Sequence, residues 1–312
     1  MRRARLAVAL AFGAIAGAAA ADPAAEGSAV RVSATEVAIT GDLGGVRLLG
    51  AWSLDADDTA FGGLSGAVLA GERLIAVGDR GIWFSARFDP GGDGPLLADA
   101  RLASIRGGGG AALGGKAADA EALAMTCGGG LAVGFEQFHR LRRYGPDGRL
   151  RAVLDAPSMA GDDANAGIEG LATDPGDCDA VLAIDEDASA DGHAMLLAGP
   201  EGTRAEGRLT SFEDLSVTAA AFGPDGALYT LRRSFSPFTG LDVALVRHPP
   251  YRGPLPEGGG EVLARFGSDS GIDNMEALAA WTDAEGRLRL LALSDDNFNP
   301  LQRTLLLDFL VE

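Results

Sequence analysis

Short apolar runs punctuated by turn residues recur along this chain, and no long stretch holds the 3.6-residue apolar period of a helix. Five times a strand start built from small residues is followed, after a turn, by a second apolar strand that runs into charge. The starts are GGLSGA around Ser65, DAEALA around Glu121, GIEGLA around Glu169, TAAAFG around Ala220 and NMEALA around Glu276, spaced by 56, 48, 51 and 56 residues. The second strands are RLIAVGDRG (73–81), LAVGFEQF (131–138), AVLAIDED (180–187), ALYTLRRSF (227–235) and LRLLALSDDN (288–297). GPDG, DPGG and DPGD tetrads supply the turns between strands. A repeat period near fifty residues predicts a propeller or a solenoid.

The second module separates the two. It shows four strands, AEALAMT, LAVGFEQF, HRLRRYG and LRAVLDA, which is the content of a propeller blade. The fifth module has three strands, ending in TLLLDFLVE (304–312), while VRLLGAWSL (46–54) stands alone before the first. That early strand is expected to complete the last blade and close the ring. The reading is therefore an all-β propeller with five four-stranded blades. VRVSATEVAI (30–39) is left over and keeps a six-bladed ring as the alternative. Residues 107–118 and 252–260 read as insertions.

Residues 1–21 carry Arg2, Arg3 and Arg5, then an apolar stretch, then Ala19, Ala20 and Ala21, the layout of a secretory signal peptide of the general export type. Residues 22–42 then form an N-terminal extension and 43–312 the propeller, and a periplasmic or secreted protein is expected. Net charge is −18, becoming −21 once the three arginines are removed, which argues against nucleic acid and anionic membranes as partners. The apolar run is too short for a membrane span. The two cysteines, Cys127 and Cys178, fall in equivalent turns of neighbouring modules, so an oxidising compartment predicts a disulfide, with two separate thiols as the alternative.

In a propeller the strand starts and the ends of the second strands converge on one mouth of the channel. The groups gathered there include Asp79, Arg80, Asp119, Glu121, Glu136, Asp163, Glu169, Asp185, Glu186, Arg232, Arg233, Asn274, Glu276, Asp295, Asp296 and Asn297. Carboxylates aimed at one axis repel unless cations lie between them. An oxygen-rich lining, with only His139, His193 and His248 in the chain, favours Ca²⁺ over softer metals. Glu121, Glu169, Glu276 and Asp295 are the candidate ligands. A second candidate is the loop DASADG, with Asp187 and Asp191, against the plainer reading of a solvated hairpin. Arg80 and Arg232 are candidates to steady developing charge, with Glu276, Asp295 and Asp296 as catalytic carboxylates; Arg233, Asn274 and Asn297 are candidate substrate contacts. Ser65 misses the last glycine of the G-x-S-x-G elbow, so a serine mechanism is disfavoured.

AADAEALA (117–124), LRRSFSPFTG (231–240), DNMEALA (273–279) and LSDDNFNPLQRTLLLDF (293–309) resemble the marks of the phytase-like family, also called esterase-like activity of phytase. The resemblance covers roughly residues 43–311. It implies a β-propeller, dependence on a divalent metal and hydrolysis of an ester or phosphoester bond in a small-molecule substrate. The absence of a carboxylate at Thr218-Ala219-Ala220 departs from the acidic pattern. The reading of a different class is a propeller that binds a ligand or partner without chemistry, and a lactonase-like hydrolase is a further alternative.

Overall fold

The computed structural model describes residues 21–137, 140–155, 167–189, 191–250 and 260–312. Their strands form five antiparallel sheets arranged as five blades. The innermost strands are Leu64–Ala70, Ala120–Met125, Ile168–Asp174, Ser216–Phe222 and Asn274–Thr282. Blades 1 to 5 are numbered by these strands. The described residues of the signal segment and of the insertion at 252–260 are only Ala21 and Gly260, so both expectations lie otherwise outside the described structure.

The ring closes as expected. Val46–Ala56 pairs antiparallel with Thr304–Val311, from Leu54 opposite Thr304 to Val46 opposite Val311, with one bulge between Asp308 and Phe309. The six-bladed alternative does not hold. The surplus segment supplies Val32–Glu36 as a fifth, outermost strand of blade 5, and Ser28–Ala29 pairs with the outer strand of blade 1. The intervening segment also bridges Asp42 to Arg265 of blade 4.

Strand alternation divides each blade between two seams. In blade 1, Leu74 and Ala76 pack towards blade 5 with Leu291 and Leu293, while Ile75 and Val77 pack towards blade 2 with Leu123 and Val133. Corresponding apolar clusters fill the seams between blades 2 and 3, 3 and 4, and 4 and 5. Five inner strands around one axis leave little lateral room, so their sequences are rich in alanine and glycine. At Gly66 a Cβ would come within 2.6 Å of the Leu123 amide nitrogen in the next blade.

Cys127 and Cys178 form the expected disulfide, with Cα atoms 5.0 Å apart. It joins blades 2 and 3 at the end of the ring opposite the charged mouth. Among the described residues no helix is long and apolar enough to cross a membrane. The bond closes a loop of 51 residues. Replacing both cysteines by serine is expected to lower unfolding free energy by about 2–4 kcal/mol, read from urea denaturation.

Candidate functional site

Every inner strand carries a β-bulge at the same place. Pairing with the second strand slips between Leu64 and Gly66, Ala120 and Ala122, Ile168 and Gly170, Val217 and Ala219, and Met275 and Ala277. The residues left unpaired are Ser65, Glu121, Glu169, Thr218 and Glu276. A bulge redirects its extra side chain away from the regular alternation. These five positions face the mouth of the channel, so the fourth repeat anchor is Thr218 and not Ala220. Thr218 is buried and donates its hydroxyl to the Met275 carbonyl at 2.8 Å.

The ends of the second strands surround these positions. In blade 2, Asp119, Glu121 and Glu136 each offer a carboxylate oxygen within 4.8 Å of the others. Calcium–oxygen distances of about 2.3–2.6 Å allow one ion to bridge oxygens that far apart. Burial pushes Glu136 up to about 7, with Asp119 and Glu186 adding to it, and pushes Glu121 well above the carboxylate range, helped by Glu276 and Asp119. In blade 3, Glu169 is raised by burial and then by Glu186, Glu276 and Glu121; its Oε2 has no hydrogen-bond partner. In blade 1, Asp79 is raised to about 7 by burial and by Asp295 and Asp119, and its Oδ1 is also unpartnered. An acceptor-only cluster with orphaned buried oxygens fits a hard divalent cation.

Blade 5 supplies a carboxyl pair. Burial raises Glu276 to about 8 and Asp295 above its ordinary value, and the two side chains share a hydrogen bond. Such a bond between two carboxyl groups requires a proton on one of them. Asn274 donates to Glu276 Oε1 at 2.7 Å and accepts from Arg233, whose Nη2 lies 3.4 Å from the same Oε1. Arg233 therefore belongs to the mouth, while Asn274 uses both ends of its amide to hold Arg233 against Glu276 instead of facing outward for a ligand.

Several other sequence candidates sit elsewhere. Arg232 is adjacent to Arg233 in the strand Ala227–Ser236 and therefore points to the opposite face. It is fully buried in the seam between blades 3 and 4, donating to the Thr210 carbonyl at 3.1 Å and to Thr230 Oγ1 at 3.4 Å. Arg80 is exposed, its guanidinium stacked 3.2 Å from the centre of the Phe298 ring. Asp296 has its oxygens occupied: Oδ1 accepts from the Gly63 and Phe298 amides and Oδ2 from the Thr304 hydroxyl, each at 3.0 Å. It latches blade 5 to blade 1. Asn297 is exposed and holds φ of +48°, with its amide donating to Asp295 Oδ1 at 2.6 Å. Gly63 must be glycine here, because at φ +60° a Cβ would lie 2.2 Å from Asp79 Oδ1.

Asp187 and Asp191 lie on the hairpin where Ala188 pairs with His193 and Ser189 with Gly192; Asp191 is exposed, and the Asp187 side chain is outside the described residues, as are Asp163 and His139. Ser65 is buried and donates to the Gly63 carbonyl at 3.3 Å. His193 is buried with Nδ1 3.0 Å from the Asp185 carbonyl, and His248 is buried beside Thr230. Among the described residues no histidine is placed to activate Ser65. Asp79, Asp119 and Glu136 were legible as mouth residues, but their roles as neighbours and candidate ligands depend on the bulge that turns Glu121 towards them.

The fold and site define a five-bladed propeller with an acidic channel mouth. The family described as Phytase-like, esterase-like activity of phytase, matches residues 59–298, and the chain belongs to it. No curated protein matches the sequence. Among solved structures, the chain is similar to a gluconolactonase from Xanthomonas campestris, at 15% identity over 93% of this chain and 99% of that one, with a TM-score of 0.48. It is also similar to glutaminyl cyclase from Myxococcus xanthus, at 12% identity over 91% of this chain and all (100%) of that one, with a TM-score of 0.47.

Raised carboxyl pKa values make the folded chain bind more protons than the unfolded chain between the ordinary carboxylate range and the raised values. Stability is then highest at the acid end of that window and falls as pH rises through it. For chelator-treated protein the urea midpoint is expected to decrease from about pH 5 to about pH 8, the window set by Glu136, Asp79 and Glu276. Asp296→Ala is expected to cost about 1–3 kcal/mol in the same assay by orphaning its donors, whereas Asn297→Ala, at an exposed position held at φ +48°, is expected to cost about 1 kcal/mol through backbone strain alone.

Proposed function

We propose that the chain is an exported, divalent-metal-dependent hydrolase of an ester or phosphoester bond in a small-molecule substrate. The observation that carries this reading is the pairing, across one mouth, of an acceptor-only trio with the cation of Arg233. Membership of the phytase-like family supports the reaction class, and the disulfide supports an oxidising compartment, periplasmic or extracellular.

Asp119, Glu121 and Glu136 would hold the cation, and Ca²⁺ suits their all-oxygen donor set. When bound, that cation would polarise the substrate oxygen and lower the pKa of water. Glu276 and Asp295, sharing one proton, would take a proton from the attacking water and return one to the leaving oxygen. Arg233 keeps 22% of its side chain exposed, so it can contact a substrate oxyanion while remaining against Glu276. Asn274 positions Arg233. Asp295 also accepts the Asn297 amide, which orients its carboxyl towards Glu276.

Ca²⁺ added to chelated protein is expected to raise the melting temperature, and the double variant Asp119→Asn/Glu121→Gln to abolish that rise. On a panel of nitrophenyl esters and phosphates, Glu276→Gln is expected to lower kcat by about 10²–10⁴-fold with a smaller change in KM. Stabilisation by the cation with no turnover on any ester would replace the hydrolase reading with that of a binding propeller. Insensitivity of both stability and rate to divalent cations would remove the metal role.

A further inference from the structure

The third strand of blade 2, Arg140–Tyr144, places Arg140, Arg142 and Tyr144 on one face and Leu141 and Arg143 on the other. Arg143, on the blade 3 side, finds an acid, donating to Asp179 at 2.8 Å. Arg142, on the blade 1 side, does not. In a chain of net charge −18 its guanidinium makes no ion pair among the described residues, and both Nε and Nη1 are buried with no hydrogen-bond partner. The Tyr144 hydroxyl, on a residue only 2% exposed, is likewise buried, with the Arg142 guanidinium beside it and no acceptor for its own proton.

The surroundings supply more donors, and Asp119 of the mouth acts on Arg140. Arg140 and Arg142 both lie against the Phe135 ring, 4.7 and 5.2 Å from its centre, so two guanidinium groups share one small volume. Trp83 of blade 1, 1% exposed, packs edge-on against Tyr144 at 5.3 Å, and its indole Nε1 is also buried without a partner. The glycine-rich insertion 107–118 forms the cover. Arg140 donates to the Ala117 carbonyl at 2.5 Å, and a Cβ on Gly107 would stand 3.4 Å from Arg142 Nη1. Burying like-charged guanidinium groups together is unfavourable unless an anion sits between them. Orphaned N–H and O–H donors carry their own desolvation cost. One oxyanion accepts from all of these groups at once, and a guanidinium fork matches its geometry.

We propose that the seam between blades 1 and 2, under the insertion 107–118, is a binding site for a small oxyanion of the phosphate or sulfate class, held by Arg142 and the Tyr144 hydroxyl with Arg140 beside them. The site is distinct from the carboxylate mouth and does not depend on the hydrolase reading. The anion has two possible sources, a resident inorganic ion or an anionic group of a substrate, and both use the same chemistry.

The test is melting of cation-free protein in inorganic phosphate, in sulfate and in chloride at equal ionic strength. Phosphate or sulfate at 10 mM is expected to raise the melting temperature by about 3 °C or more over chloride. Arg142→Met is expected to weaken phosphate binding by tenfold or more in calorimetry. Tyr144→Phe, which removes only the hydroxyl, is expected to fold normally and to weaken binding by less. Arg233→Met retains the full phosphate response. If substrate is the source, Arg142→Met also raises KM for an anionic ester and leaves a neutral ester unchanged; a resident ion leaves both unchanged. Equal melting in all three salts overturns the proposal. So does a phosphate response that survives in Arg142→Met or disappears in Arg233→Met, which would move the anion to the channel mouth.

Discussion

The repeated β-bulge is the constraint on which the site depends. A strand in a ladder sends successive side chains to opposite faces, and in a propeller both faces are taken by seams. One extra residue per inner strand frees a side chain from that alternation and directs it to the axis. Here the freed residues are Ser65, Glu121, Glu169, Thr218 and Glu276. Three of the five are glutamates, and the five-blade ring brings them close enough that Glu276 raises the pKa of Glu121 and both raise that of Glu169.

Asymmetry in that ring gives the mouth its chemistry. Blade 4 contributes Thr218, which closes its own hydrogen bond to Met275, and the cation of Arg233. A ring of five acids would be only a repulsive collar; with blade 4 altered, the mouth has an acceptor-rich wall in blade 2 and a cationic wall in blade 4, with a proton-sharing carboxyl pair between blade 4 and blade 1. Asn274 ties the cation to that pair. The departure at 218–220 is therefore what makes the site polar from one side to the other.

Architecture was legible in the sequence because it rests on periods. The fifty-residue repeat, the lone strand at 46–54, the three-stranded last module and the matching cysteine turns each follow from counting. Residue roles rest on which way a side chain points, and that is decided by register. Without the bulge, Ala220 aligns as well as Thr218. Period-two alternation alone separates Arg232 from Arg233, and Arg142 from Arg143, yet it cannot say which member faces the mouth. Asp296 was indistinguishable from Asp295 as a cluster member; the backbone turn at Asn297 and Phe298, both at φ +48°, consumes one as a latch and leaves the other beside Glu276.

The cost of the acidic mouth falls unevenly on the seams, and so does the reinforcement. Repulsion across the boundary of blades 2 and 3 includes Glu136 with Glu186 and Glu121 with Glu169. The apolar cluster in that seam is rich in alanine, including Ala122, Ala124, Ala132, Ala183 and Ala198, so it buries less apolar surface per residue than the seams filled by leucine and phenylalanine. The disulfide spans this same boundary at the far end of the ring. A covalent tie there limits how far the two blades can splay when their upper carboxylates ionise. Between blades 5 and 1, where Asp79 and Asp295 repel, the reinforcement is the Asp296 latch to Gly63 together with a larger core containing Phe61, Phe84 and Leu306. The seams between blades 2 and 3 and between blades 5 and 1 are thus braced by different devices, and a cation drawn to the blade 2 trio would relieve repulsion at the seam whose core is rich in alanine.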